Sequence, residues 1–91
     1  MILYRDIIYM ENWKELTDNE IKMGFIASCI ENAAAITGNT YKEMFDRMEA
    51  VDLIDKYIYP CYDALHTESR QNLVTDILDT LISWEQKKSI S

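Results

Sequence analysis

Apolar side chains recur at helical spacing along most of the chain, and the first long segment is also marked at both ends. Thr17 followed by Glu20 is a capping-box pattern, in which each side chain bonds the other's free backbone N–H at a helix start. Gly38 lies at the position just after the helix, where a left-handed backbone conformation commonly ends a helix. The pattern predicts a helix over residues 18–37. Its predicted buried stripe is Met23, Ile26, Cys29 or Ile30, Ala33 and Thr37.

A second capping box, Thr40 with Glu43, predicts another helix directly after the first. The link between the two helices is so short that they must pack as neighbours, either antiparallel or at an angle. The second helix carries apolar residues at i, i+3, i+4 and i+7, namely Tyr41, Met44, Phe45 and Met48.

The third segment is interrupted by Pro60, the only proline. Asp52 is the candidate cap at its start, and the apolar face that follows runs as far as Leu65. Proline removes a backbone donor and clashes with the preceding turn of a helix. The sequence therefore predicts a short helix, a break near Tyr59 and a second short helix that ends near His66.

The last segment predicts the longest helix, over residues 69–87. Thr67 and Ser69 are both suitable N-caps, and Lys87 and Lys88 suit the negative end of the helix dipole. Residues 89–91 are expected to fray. The predicted buried stripe is Leu73 or Val74, Ile77, Leu81 and Trp84.

The N-terminal segment has an ambiguous pattern, because some of its apolar residues fit a helical stripe and others fit a strand; helix is favoured. An arm that does not fold onto the core exposes four large side chains, which are the candidate interaction residues: Tyr4, Ile8, Tyr9 and Trp13. The predicted fold class is all-α, a compact irregular or orthogonal bundle of four to five helices. Residues 1–91 form one predicted domain, with residues 1–17 as an arm or extra helix and residues 18–87 as the core.

The charge balance narrows the classes of partner. The net charge of −7 repels phosphate backbones, so nucleic acid is not an expected partner. A protein with a basic surface is compatible with this negative charge. Cys29 and Cys61 lie far apart in apolar segments, which suits reduced thiols and predicts a cytoplasmic protein. The sequence shows no membrane helix and no export signal.

Candidate chemistry is concentrated around His66, the only histidine and the only side chain with an ordinary pKa near neutrality. If this stretch is helical, two residues one turn back can orient the imidazole. The favoured interpretation is that His66 marks a helix junction and donates to a backbone carbonyl or a cap; the alternative is a small-ligand site or a minor enzyme. The candidate residues, structural or functional, are Tyr62, Asp63, Leu65, His66 and Thr67.

Other catalytic arrangements are disfavoured. Cys61 and His66 point about 140° apart on a helix, which argues against a thiolate–imidazole pair. The chain has neither the spacings typical of a metal site nor a glycine-rich phosphate loop, so no catalytic residue, metal or cofactor is predicted. The first two helices have the length of a DNA-binding helix-turn-helix. The exposed side chains of the second helix mix both signs and offer little to phosphates: Lys42, Glu43, Asp46, Arg47 and Glu49.

Three groups of residues resemble the sequence pattern of a family of small bacterial proteins, the domain of unknown function DUF3791. They are Cys29, Ile30, Glu31 and Asn32; Tyr62, Leu65, His66 and Thr67; and Asp76 with Ile77. The resemblance covers residues 23–85 and implies a small helical protein with no established catalytic residues. It also implies gene neighbours that resemble ADP-ribosyltransferases, and hence a partner or antitoxin-like role.

These observations lead to one functional expectation and two alternatives. We expect a noncatalytic protein–protein interaction module that binds a protein partner or a second copy of itself. The alternatives are a small-ligand-binding protein or minor enzyme centred on His66, and a DNA-binding regulator.

Overall fold

A computed structural model describes residues 16–90 of the chain, and this part is all-α. The elements, in chain order, are α1 (Asp18–Thr37), α2 (Tyr41–Ala50), a π-helix (Ile54–Ile58), α3 (Tyr62–Leu65) and α4 (Arg70–Ile90). No strand occurs within residues 16–90. The described part is thus the irregular helical bundle that the sequence predicts.

Local capping explains where α1 and α2 begin and why they are neighbours. The Glu20 N–H donates to Thr17 Oγ1 at 3.1 Å, and the Thr17 N–H donates to Glu20 Oε1 at 3.1 Å. Thr40 and Glu43 form the same reciprocal pair at the start of α2. Gly38 ends α1 with φ 77°, a conformation that costs glycine little because it has no Cβ. Both predicted capping boxes and the glycine cap are confirmed.

The core lies where α1 packs against α2 and α4, and the short elements contribute to it. Burial of this apolar surface is the main stabilising term in such a domain. The buried core residues are Ile26, Cys29, Ile30, Ala33, Ala34, Met44, Met48, Leu53, Ile54, Ile58, Leu65, Leu73, Val74, Ile77 and Leu81.

The predicted stripe on α1 is correct in its centre and wrong at its ends. Met23 is exposed, because the first turns of α1 line an open groove beside α2. Thr37 is exposed as well, and its hydroxyl donates to the Ala33 carbonyl at 2.9 Å. The sequence left open whether Cys29 or Ile30 belongs to the buried stripe, and the structure buries both.

The interrupted third segment has the predicted break but not the predicted cap. The Tyr59 N–H bonds the Ile54 carbonyl at 2.9 Å, which closes a widened turn just before Pro60. Asp52 does not cap this segment by its side chain. It takes a left-handed conformation, with φ 57°, and its carboxylate lies 3.8 Å from Lys56 Nζ. The helix is instead preceded by Leu53, which makes no side-chain cap.

The last helix begins as predicted and ends later. The Asn72 N–H donates to Ser69 Oγ at 3.3 Å, so Ser69 is the N-cap and Thr67 is not. The helix continues to Ile90, beyond the predicted end at residue 87. Residues 89 and 90, for which fraying is predicted, belong to this helix.

Candidate functional site

The predicted motif around His66, residues 62–67, consists of the short helix α3 and the two residues that follow it. Leu65 points into the core and is only 5% exposed, whereas Asp63, His66 and Thr67 are exposed. The motif is therefore anchored by one apolar side chain and presents its polar side chains at the surface.

The polar groups of His66 and Thr67 are used locally. His66 Nδ1 lies 2.9 Å from the Tyr62 carbonyl oxygen, and because that oxygen can only accept, Nδ1 carries the proton and donates. The imidazole also stacks on the Tyr62 ring, with centroids 4.6 Å apart and planes 4° apart. Thr67 Oγ1 donates to the Ala64 carbonyl at 2.9 Å. These contacts close α3 and fix the orientation of the histidine.

Tyr62 and Tyr59 belong to an aromatic cluster that is fastened to the start of α1. Phe25 meets the Tyr62 ring edge-on at 5.1 Å. Lys22 Nζ lies 5.2 Å from the centre of the Tyr59 ring and 5.6 Å from that of Tyr62, within cation–π distance of both. The Tyr59 hydroxyl donates to Asn19 Oδ1 at 2.9 Å. The cluster thus holds the region around Pro60 against the first turns of α1.

A small depression of about 340 Å³ lies beside the motif, but His66 does not line it. Its lining includes Lys22, Tyr62 and Asp63, together with residues of the first turn of α1. Leu65 and Thr67 are also outside it. The structure therefore divides the predicted motif: Tyr62 and Asp63 line the depression, whereas the imidazole of His66 bonds the backbone carbonyl of Tyr62.

The two cysteines differ in their surroundings. Burial raises the pKa of the Cys29 thiol to about 12, which keeps it protonated at neutral pH. Cys61 is half-buried, and no hydrogen bond joins it to His66 among the contacts of residues 16–90. In the same part of the chain, no group of three or more histidine, cysteine or acidic side chains is placed to hold a metal ion.

A larger surface feature, which we call the apolar groove, lies between α1, α2 and the segment before Pro60. It encloses about 440 Å³. Its apolar lining includes Met23, Ile26, Ile30, Tyr41, Phe45 and Tyr59. Three of these side chains are large and still exposed: Met23 by 52%, Tyr41 by 45% and Tyr59 by 36%. Large apolar side chains gathered at one exposed place are typical of an interaction surface.

Two carboxylates, those of Glu49 and Asp55, also line the apolar groove. Both residues are exposed, and within residues 16–90 neither forms an ion pair. We call them the groove carboxylates. An apolar floor with unpaired negative charge favours an apolar surface flanked by positive charge.

The opposite side of α2 is tied to α4. Arg47 donates to both carboxylate oxygens of Glu85, at 2.9 and 2.7 Å, and to Asn39 Oδ1 at 3.1 Å. The hydrogen bond to Glu85 raises the pKa of Arg47 further. Lys42, the other cation of α2, pairs with Asp46 at 2.8 Å. Both cations of this helix therefore face carboxylates.

The groove was not predicted as a site, although its parts were visible in the sequence. Met23, Tyr41 and Phe45 all occur at helical spacing, which indicated a buried face. The pattern cannot distinguish a face covered by the core from one left open. The predicted interaction residues Tyr4, Ile8, Tyr9 and Trp13 lie outside the described residues.

Comparisons with known proteins agree with the predicted resemblance. A family model described as protein of unknown function (DUF3791) matches residues 24–84, well over half of the chain. Neither the curated proteins nor the solved structures provided a match. Among the helices of residues 16–90, none combines the length and apolar composition needed to cross a membrane.

Proposed function

Since the chain belongs to the DUF3791 family of proteins of unknown function, its activity has to be inferred from its surface, and we propose that it is a noncatalytic protein-interaction module. The binding surface is the apolar groove, and the occupant is a helix of a partner protein whose apolar face is flanked by basic residues. The observation that carries the proposal is the gathering of exposed Met23, Tyr41 and Tyr59 in one groove.

The shape and composition of the groove support a helical occupant. It runs beside two helices, and its lining from α1 is spaced over two turns, from Met23 to Ile30. An amphipathic helix places its apolar side chains at the same spacing, so that they can interdigitate with such a lining. Covering three partly exposed large side chains removes apolar surface from water, and this is favourable by about 25 cal/mol per Å².

The charge supports a basic partner. The groove carboxylates form no ion pair in the described part of the chain, and the whole chain has a net charge of −7. A partner with Lys or Arg beside its apolar face therefore gains ion pairs at Glu49 and Asp55 and is attracted at long range. Both cations of α2 are paired with carboxylates, so this helix has little positive charge left for a DNA phosphate backbone. This supports a protein partner over DNA.

We further propose how this module is organised and where it acts. Residues 18–87 are the folded core that carries the groove, and residues 1–17 are an arm. Two free thiols, one of them buried, suit the reducing cytoplasm. An antitoxin-like complex with a neighbouring gene product, which the family resemblance implies, is one form that the partnership can take.

The direct test is site-specific photocrosslinking in the cells that encode the protein. Replacing Tyr41 with p-benzoylphenylalanine keeps an aromatic side chain in the groove, and irradiation should link it to one partner. The crosslinked peptide should be helix-forming, with Lys or Arg flanking apolar residues. Adding Asp55→Lys to the same chain should lower the yield, because it reverses one groove charge.

The matched control carries the same photoreactive residue at Ile36, which is 67% exposed on α1 and outside the groove. Equal crosslinking from positions 36 and 41, or no adduct from position 41, contradicts the proposal. An adduct with a protein encoded by an adjacent gene identifies the antitoxin-like form.

A further inference from the structure

We infer that the ends of α2 and α4 form a second binding site, for a small phosphate ester that carries a flat aromatic ring. The site is an open cleft of about 590 Å³, which we call the lysine cleft. Among the described residues, none lines both this cleft and the apolar groove, so the second site is independent of the proposed function. The lining of the lysine cleft includes Val51, Asp52, Lys56, Trp84, Lys87 and Lys88.

The lysine cleft concentrates positive charge on an acidic chain. Three of the nine lysine and arginine residues of the chain, Lys56, Lys87 and Lys88, line it. Within residues 16–90, Asp52 is the one acidic residue of the lining. The net charge of −7 is spread over the whole chain and is screened by salt beyond about 8 Å, whereas the ammonium groups in the cleft act directly on a bound anion. The cleft is therefore suited to an anion although the protein as a whole is not.

Packing brings these lysines together from two distant parts of the chain. Asp52, in its left-handed conformation with φ 57°, turns the chain at the end of α2, and Lys56 follows one helical turn later. Lys88 lies near the end of α4, and its ammonium group donates to the carbonyl oxygen of Ala50, the last residue of α2. This hydrogen bond joins the ends of the two helices and fixes the position of one cation of the cleft.

The helix dipole accounts for only part of this arrangement. Lys87 and Lys88 lie in the last turn of α4, where the negative end of the dipole stabilises positive charge. Lys56 belongs to the π-helix instead, so the dipole of α4 does not explain its position in the same cleft. A site for an anion accounts for all three lysines.

The lining indicates which class of anion fits. Ammonium groups bind phosphate as point charges, and a phosphate monoester carries about 1.5 to 2 negative charges at neutral pH. Three ammonium groups therefore favour a phosphate over a carboxylate, which carries a single charge. The volume of the cleft lies within the range of small-molecule pockets, roughly 300–1,000 Å³.

Trp84 supplies the surface for an aromatic ring. It lines the cleft and is half-buried, so part of the indole is accessible from there. Its ring meets Tyr57 edge-on, with centroids 6.2 Å apart, and this contact holds the indole in place. A flat ring in the ligand can stack on the indole while the phosphate contacts the lysines.

The test uses phenyl phosphate as the probe and NMR of the isotope-labelled full-length protein as the readout. The backbone amide resonances of residues 50–56 and 84–88 should shift and reach saturation, and so should the indole N–H of Trp84. Inorganic phosphate lacks the ring and benzoate lacks the second charge. Each should therefore bind about fivefold more weakly than phenyl phosphate.

Lys56→Gln should weaken the binding of phenyl phosphate about fivefold, because it removes one of the three cations. Lys42→Gln is the matched control. Lys42 is also an exposed lysine that pairs with an aspartate four positions away, but it lies outside the cleft, so its replacement should leave the affinity unchanged.

Trp84→Leu should weaken the binding of phenyl phosphate and leave that of inorganic phosphate unchanged, because only the stacking surface is removed. Circular dichroism shows whether each variant is folded. If Trp84→Leu is not folded, the comparison of inorganic phosphate with phenyl phosphate in the parent protein still tests the contribution of the ring.

The absence of a saturable shift overturns the inference, and so does a shift confined to residues outside the cleft. Equal affinities of the Lys56→Gln and Lys42→Gln variants would show that the cleft lysines do not bind the anion. Benzoate that binds as tightly as phenyl phosphate overturns the phosphate class, and inorganic phosphate that binds as tightly overturns the role of Trp84.

Discussion

The apolar groove and the 62–67 motif lie side by side, with Lys22 in contact with the aromatic rings of both regions, but they leave different groups for a partner. In the motif, the imidazole and the threonine hydroxyl bond carbonyls of α3, and the tyrosine ring is covered by its neighbours. In the groove, three large side chains remain partly exposed and two carboxylates are unpaired within the described chain. A cluster of unusual residues in a sequence is therefore not always the surface whose side chains remain available to bind a partner.

The two regions also differ in the contacts that support them. The motif is held by the anchor residue Leu65, which enters the core, and the groove is held from behind by the bond between Arg47 and Glu85. These are different types of support, since the first is apolar burial and the second is a charge-assisted hydrogen bond. Each can be removed separately, by replacing Leu65 or Arg47.

Replacing the anchor of the motif should have the largest effect. Leu65→Ala should lower the free energy of unfolding by about 2–4 kcal/mol, because it removes buried methyl groups and leaves a cavity. Urea denaturation followed by circular dichroism measures this change. Asp63→Ala, an exposed change in the same short helix, should stay within about 0.5 kcal/mol. Equal losses for both would show that the motif is not anchored by Leu65.

Removing the support behind the groove should have an intermediate effect. Arg47→Met should lower the free energy of unfolding by about 1–2 kcal/mol, since it leaves Glu85 without its bidentate partner at a site that is about two thirds buried. The pair is partly exposed, so solvent screening keeps the loss below that of a fully buried ion pair. Lys42→Met, which removes the exposed pair with Asp46, should cost less than about 0.5 kcal/mol. A larger loss from Lys42→Met than from Arg47→Met would contradict this account.

A smaller effect should appear as a pH dependence at the C-terminal edge of the motif. The hydrogen bond with Asp76 raises the pKa of the Glu68 carboxyl above its ordinary value of 4.5. The protonated form is therefore favoured by folding, and its stabilising contribution is present at acidic pH and is lost as the pH rises through the raised pKa.

Replacing Glu68 should remove this contribution. The melting temperature of the Glu68→Gln variant should fall less between pH 4.5 and pH 7 than that of the parent protein. Asp76→Asn should have the same effect, and the double variant should add nothing. A double variant whose slope is the sum of the two single effects would contradict a contribution that depends on the bond between these two side chains.

The smallest effect should come from the residue that looks most like a functional group. His66→Gln should change the free energy of unfolding by less than about 1 kcal/mol, because the lost hydrogen bond and ring stack are exposed to solvent. It should also leave crosslinking from position 41 unchanged. A partner adduct that disappears with His66→Gln would move the binding surface from the groove to the motif.

Much of the fold was predictable because its signals are local. The capping boxes at Thr17 and Thr40 join residues three positions apart, and the αL cap at Gly38 depends on one missing Cβ. Pro60 likewise interrupts a helix through its own ring. His66 also lies where a helix junction was predicted, and of the two partners considered, a backbone carbonyl or a cap, the structure shows the carbonyl of Tyr62.

Local signals in the sequence thus specify the class of the fold, the order of its helices and most of their ends. Which apolar faces stay open depends on packing, because a helical stripe at Met23 or Tyr41 has the same pattern whether or not another helix covers it. It also decided that Asp52 adopts a left-handed conformation and that Arg47 meets Glu85 across 38 residues of chain. Contacts between residues far apart in the chain are formed by packing, and the groove exists because packing leaves that part of α1 and α2 uncovered.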